Sequence, residues 1–207
     1  MPPELSVYLV EDDPLLARHV REALDAAPGI RCVGHADCLA DARAELPQRR
    51  PQVLLSDLGL PDGDATELIR ELGGRDGEWH PHILVFSVFG DESRVIHAIE
   101  AGADGYFLKG CPDRELVRAV QAAALGESPI SPAIARHLLR HFAAGGTAGA
   151  ALSADEQQVL KLFAQGYMPE EIAERIASSA HGVCVRVRQV YEKLQQRHRL
   201  ALSDSLG

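Results

Sequence analysis

Five times between residues 5 and 125, a short run of β-branched and aliphatic residues gives way to an amphipathic stretch. The runs are SVYLV (6–10), IRCVG (30–34), QVLLS (52–56), HILVFS (82–87) and DGYFL (104–108). Apolar residues at helical spacing follow near 14–26, 38–46, 64–72, 91–101 and 112–125. Strands that are almost continuously apolar, each followed by a helix, fit a parallel sheet buried on both faces. Several helix starts carry their own chemistry. Asp64 with Glu67 reads as a capping box, Asp91 as an N-cap, and Pro112 suits a first helical turn.

A further helical pattern covers 128–143, with Ser131-Pro132 at its start, and is followed by AAGGTAGAA (143–151), which has no side chain able to build a core. The remainder is helical in pattern over 153–165, 169–177 and 179–195, with a short last piece, and Ser153 with Glu156 forms another capping box. The division expected is therefore 4–126, an α/β domain; 127–150, a connector helix and flexible linker; and 151–207, an all-α domain.

Charge is divided along the same line. The chain carries −9 overall, with 14 Lys+Arg against 23 Asp+Glu in residues 1–150 and 7 against 7 in 151–207. Five basic residues (Arg186, Arg188, Lys193, Arg197 and Arg199) fall in 181–199 beside the single acid Glu192. An acidic body with a locally basic segment points to two tasks. The longest apolar run, 83–89, is far short of a membrane span, and no secretory signal is visible. Cys32, Cys38, Cys111 and Cys184 form no CxxC pair and read as reduced thiols of a cytoplasmic protein without membrane association.

Right-handed crossovers bring the carboxyl ends of all five strands to one edge, where an open parallel sheet binds its ligands. Glu11 and Asp12 follow the first strand and Asp57 the third; Ser87 ends the fourth, and Lys109 follows the fifth. Three carboxylates crowded together favour a divalent cation, and an open, oxygen-only site suits Mg2+. With that charge neutralised, Asp57 can act as nucleophile on a phosphoryl donor, while Lys109 and Ser87 hold the transferred oxygens.

YLVEDDP (8–14), LLSDLGLPDGD (54–64), VFSVFGD (85–91) and GYFLKG (105–110) resemble the receiver domain of two-component response regulators over about residues 5–125. The resemblance implies a doubly wound five-stranded parallel sheet of the flavodoxin/CheY-like kind. It implies Asp57 as phosphoacceptor, with Glu11, Asp12, Asp57 and the Gly59 carbonyl around Mg2+. It also implies Lys109 and Ser87 as catalytic groups, with Ser87 and Tyr106 as the switch pair. Gly110 and Ala65 depart from the common pattern without touching this chemistry.

In the last third, Val183, Val187, Val190 and Leu194 form an apolar stripe, leaving Cys184, Val185, Arg186, Arg188 and Gln189 for an outer face. A short helix, a tight turn and a helix with exposed basic residues describe a helix-turn-helix whose second helix enters the DNA major groove. The stretch 152–176 together with VYEKL (190–194) resembles the LuxR-type domain of NarL/FixJ regulators. That resemblance implies Cys184, Val185 and Arg188 at the DNA-reading positions, and Arg186 and Gln189 beside them complete the expected DNA contacts. Gly182 and Cys184 stand where the family has threonine and lysine, and Gly182 costs the helix about 1 kcal/mol relative to Ala. The segment 197–207 is short where relatives continue into a dimer helix.

The expected function is a phosphorylation-switched transcription regulator, not an enzyme on an external substrate. Its expected partners are a sensor histidine kinase, promoter DNA and, when phosphorylated, a second copy forming a homodimer. The alternative is a phosphorylation-switched protein-interaction regulator whose helix-turn-helix no longer reads DNA.

Overall fold

The computed structural model describes residues 4–73, 79–88, 90–145 and 151–204, with side chains described as far as residue 196. The chain begins in the middle of a sheet with β1 (Leu5–Val10), then α1 (Pro14–Ala26), and moves outward to β2 (Ile30–Ala36) and α2 (Leu39–Arg49). It then crosses to β3 (Val53–Ser56), makes a small antiparallel pair, β4 (Gly59–Leu60) with β5 (Gly63–Asp64), and enters α3 (Thr66–Gly73). β6 (His82–Ser87), α4 (Glu92–Ala101), β7 (Gly105–Leu108) and α5 (Asp113–Ala124) complete the sheet and its helices. The strand order is β2-β1-β3-β6-β7, all parallel, so the direction of winding reverses between β1 and β3. That is the doubly wound order whose ligand crevice opens at the reversal.

Alternation along the strands feeds two cores. Val7, Leu9, Val53, Leu55 and Leu84 face α1 and α5. Tyr8, Val10, Leu54, Ile83 and Val85 face the other way, and their cluster does not stop at the sheet's helices. It continues without a break through Ile130, α6 (Pro132–Ala143), α7 (Ala154–Ala164), α8 (Pro169–Arg175) and α9 (Ala180–Asp204). α6 packs on α7 and α4, and α9 packs on α4, α7 and α8. Ion pairing reinforces the contact between α6 and α4, with Arg140 Nε donating to Glu92 at 3.0 Å. The α/β and helical parts thus share one apolar core.

Caps appear where the sequence marks them, with one exception. Asp91 accepts from Arg94 N–H, and Ser153 and Glu156 make the reciprocal pair at the start of α7. Asp64 instead closes a short turn on the Thr66 N–H at 2.8 Å. α3 starts only at Thr66, so Glu67 lies too early to form the expected capping box, and its side chain is 74% exposed. The expected break near residue 195 is also absent. Residues 183–204 contain neither glycine nor proline, and α9 runs on to Asp204. The glycine-rich linker falls largely on residues 146–150, outside the described residues.

Candidate functional site

The ends of the two central strands carry the acids. Glu11 and Asp12 follow β1 and Asp57 follows β3, whose ladder extends one residue further through Asp57 N–H to the Val10 carbonyl at 2.9 Å. One oxygen from each of the three carboxylates lies within 4.8 Å of the others. Ser87, the last residue of β6, donates its hydroxyl to Asp57 Oδ1 at 2.6 Å. Lys109 is held by its own N–H on the Ser87 carbonyl at 2.9 Å. Its Nζ lies 2.6 Å from Asp57 Oδ2 and 2.8 and 2.7 Å from the two Glu11 oxygens. The structure therefore gathers all five polar groups on one edge. Gly59, two residues past Asp57, begins β4 and is half-buried.

Burial sets the electrostatics. Glu11 is 1% exposed and Asp57 4%. Burial, then the charge of Asp57, pushes the Glu11 carboxyl above its usual range, and this outweighs the opposing pull of Lys109. At Lys109 burial favours loss of the proton, but hydrogen bonds and charge from Asp57 and Glu11 prevail and hold the ammonium more firmly than usual. Asp12 is exposed. Three hard oxygen donors, one of them facing solvent and none nitrogen or sulfur, fit a divalent cation. Gly110, where the sequence departs from the family pattern, adopts φ 93°, a conformation that glycine takes without strain.

The second constellation lies on α9. Val183, Val187, Val190 and Leu194 are buried as the apolar stripe requires. Val185 and Gln189 are exposed. Arg186 is tied back into its own domain: its guanidinium donates to Gly182 O at 2.8 Å, Ser178 Oγ at 3.3 Å and Asp155 Oδ2 at 3.3 Å. Gly182 makes room for this, because a Cβ there would stand 2.7 Å from Ser178 Oγ and 3.3 Å from the Arg186 guanidinium. The remaining two outer residues face the turn that follows α5. Arg188 donates to the Gly126 carbonyl at 3.1 Å and to Glu192 at 3.0 Å. At Cys184 burial foremost, then the Glu127 carboxylate, raises the thiol to about 12.

Two family models match: the response regulator receiver domain over residues 7–121, and the bacterial regulatory proteins of the luxR family over residues 150–205. The chain belongs to the two-component response regulators of the NarL/FixJ class. It is 31% identical to the nitrate/nitrite response regulator protein NarL of Escherichia coli K12, over 94% of this chain and 91% of that protein. It is also 31% identical to the DNA-binding transcriptional activator DevR/DosR of Mycobacterium tuberculosis, covering 94% and 90%. A solved structure of the RcsB response regulator of Salmonella typhimurium shares the fold, with TM-score 0.61, 24% identity, and 93% and 92% of the two chains covered. Another, of RcsB bound to promoter rprA in the presence of a phosphomimetic, aligns with TM-score 0.56 over 92% of each chain at 24% identity.

In this response regulator the face of α9 turned to the receiver extends beyond the residues that sequence reasoning singled out. His181 Nδ1 lies 4.0 Å from Glu127, and Gln195 donates to the Ala103 carbonyl at 3.1 Å. Tyr191 is 1% exposed, and its ionisation feels Tyr106 and Asp104 of the receiver. His181, Cys184, Arg188, Tyr191 and Gln195 recur every three to four residues, so they share one side of the helix. The signal available in the sequence was that spacing; nothing in it names Glu127, Ala103 or Asp104 as the opposite side. Tyr106, fully buried, also pairs through its backbone with Ile130 of the connector. Among the described residues no helix is long and apolar enough to cross a membrane.

The raised Glu11 carboxyl has a measurable consequence. The folded state takes up this proton at a higher pH than the unfolded chain, so ionising Glu11 weakens the fold as pH rises through the folded value. Glu11→Gln keeps an oxygen for Lys109 and removes the buried charge. It is expected to stabilise the protein near neutral pH by about 1 kcal/mol, raising Tm by about 2–4 °C, with the gain vanishing at acidic pH. Thermal unfolding across pH, with wild type alongside, checks this; a variant less stable than wild type at neutral pH would contradict it.

Proposed function

We propose that Asp57 is the phosphoacceptor of this regulator, charged by a sensor histidine kinase, and that its phosphorylation governs promoter binding by α9. The observation that carries the reading is the gathering of Ser87 and Lys109 on the two oxygens of one buried aspartate, each at 2.6 Å. An Asp57 oxygen forms the bond to phosphorus as the bond from phosphorus to the donor breaks. Lys109 offers fixed positive charge and Ser87 a hydroxyl to the oxygens of the arriving group. Glu11, Asp12, Asp57 and the Gly59 carbonyl are the groups that would hold Mg2+, which when bound would offset the crowded negative charge and a phosphoryl oxygen's. The protein is read as cytoplasmic, divided at 4–126, 127–150 and 151–207, and working as a homodimer when phosphorylated; family matches over 7–121 and 150–205 support a receiver followed by a separate helical domain.

Cys184, Val185, Arg186, Arg188 and Gln189 are the proposed DNA contacts, and two of them, Cys184 and Arg188, face the receiver here. That supports a closed form in which docking on the receiver and grip on DNA exclude one another. Phosphorylation then acts as a shift of population toward a form with α9 released, with Ser87 and Tyr106 as the moving parts.

Intact-mass measurement after acetyl phosphate and Mg2+ tests the acceptor. Wild type is expected to gain a phosphoryl adduct and Asp57→Ala to gain none; an adduct surviving in the variant would refute the assignment. DNA binding with and without the phosphoryl donor tests the output. Salt-sensitive, sequence-selective binding that phosphorylation strengthens is expected, and no binding even at low salt would leave the helix-turn-helix to protein contacts.

A further inference from the structure

Of the five residues on the receiver-facing side of α9, Arg188 donates to the Gly126 carbonyl and Gln195 to the Ala103 carbonyl, while His181 Nδ1 lies 4.0 Å from Glu127 at the start of the connector, whose charge also reaches Cys184. Tyr191 is the exception. Its ring belongs to the apolar core that runs from the sheet into the helical domain, and its hydroxyl is buried with no hydrogen-bond partner among the described residues. The nearby Asp104 carboxylate accepts from Ile83 N–H at 2.8 Å and does not accept from the Tyr191 hydroxyl. Burial foremost, then Tyr106 and Asp104, holds the Tyr191 phenol in its neutral form.

A buried hydroxyl without a partner forfeits the hydrogen bonds it makes in water. In the closed form Tyr191 bears that penalty; with α9 lifted from α4 the hydroxyl on this side of the helix meets solvent and the penalty disappears. The apolar ring works in the opposite direction, because its burial favours closure. One residue thus both seals the interface and limits how tightly it seals.

We propose that the Tyr191 hydroxyl is a built-in flaw in the receiver–α9 interface that sets the closed form close enough in free energy to the open one for phosphorylation to release it. This rests on the reading of α9 as the DNA-contacting helix held against the receiver. Tyr191 is on this view a positioning residue for the switch, and it takes no part in the chemistry at Asp57. A phenylalanine in its place supplies the same ring without the penalty, so the closed form gains about tenfold over the open form.

The test uses the full-length, unphosphorylated protein as wild type and as Tyr191→Phe, with hydrogen exchange and DNA binding measured on both. Amides of α4 are expected to exchange about tenfold more slowly in Tyr191→Phe, while those of α1, on the far side of the sheet, stay unchanged. DNA affinity of the unphosphorylated variant is expected to fall by about the same factor, and the ratio between phosphorylated and unphosphorylated affinities to change with it. Exchange in α4 that is unchanged or faster overturns the proposal. Slowing of α1 to the same degree as α4 also overturns it, because that marks a general stabilisation of the fold. Slower α4 exchange in a protein that binds no DNA in any form upholds the interface flaw and refutes the DNA-reading assignment, so the two failures are distinguishable.

Discussion

Lys109→Met is expected to destabilise the protein by about 3–5 kcal/mol near neutral pH, the usual cost of removing one partner from a buried ion pair. The lysine is 10% exposed at its side chain and serves two carboxylates at once. Methionine preserves the apolar stem and removes only the ammonium. Glu11 and Asp57 then face one another in a site from which water is largely excluded, without the cation that offset their charges. The Glu11 carboxyl, already raised by burial, loses the opposing pull of Lys109, so its folded value moves further above that of the unfolded chain and the variant regains stability as pH falls through that window. The gap between wild type and variant should therefore narrow on acidification. It should narrow on adding Mg2+ as well, if the cation binds the same oxygens and restores the missing charge. Urea unfolding at neutral and mildly acidic pH, with and without Mg2+, reads both effects. A loss below about 1 kcal/mol would mean that Lys109 is not holding the two acids together and is a solvated surface group instead.

The residues of that pocket could be found in the sequence because two rules suffice to bring them together. Alternating strands and helices dictate a parallel sheet, and right-handed crossovers place every strand's carboxyl end on the same edge. Glu11, Asp57, Ser87 and Lys109 then need only follow the correct strands. What escaped is of a different kind. The full length of α9 is not legible because its apolar stripe ends at Leu194, while the helix continues to Asp204. Asp64 closes a turn instead of capping a helix because it is the last residue of the β4–β5 pair, and the helix starts only at Thr66. The docking of α9 was out of reach because a polar stripe made to grip DNA and one made to grip a receiver look alike. Its partners sit in the turns after α4 and α5, and only tertiary packing brings them to Arg188 and Gln195.

Reversing one charge in that interface should free the helix without touching the acidic pocket. Glu127 follows α5, is 23% exposed at its side chain, and faces His181 and Cys184, with Arg188 on the neighbouring Gly126 carbonyl. In Glu127→Lys the receiver presents a cation to the basic side of α9, and like charges set against each other at an interface cost enough to shift a balanced equilibrium. Unphosphorylated Glu127→Lys is expected to bind DNA about tenfold more tightly than wild type, an effect of about 1.4 kcal/mol. Phosphorylated wild type is already shifted to the open form, so the same substitution should change its affinity much less. That difference separates release of the helix from a general gain in positive charge, which would strengthen both forms alike. Glu127→Gln provides the intermediate case, with loss of the attraction and no new repulsion. Fluorescence anisotropy on a duplex selected by the protein from a random pool, at a fixed salt concentration, gives the six affinities. Equal gains in the phosphorylated and unphosphorylated forms would show that Glu127 does not hold α9 closed, and that the contact between the two domains leaves DNA binding unregulated.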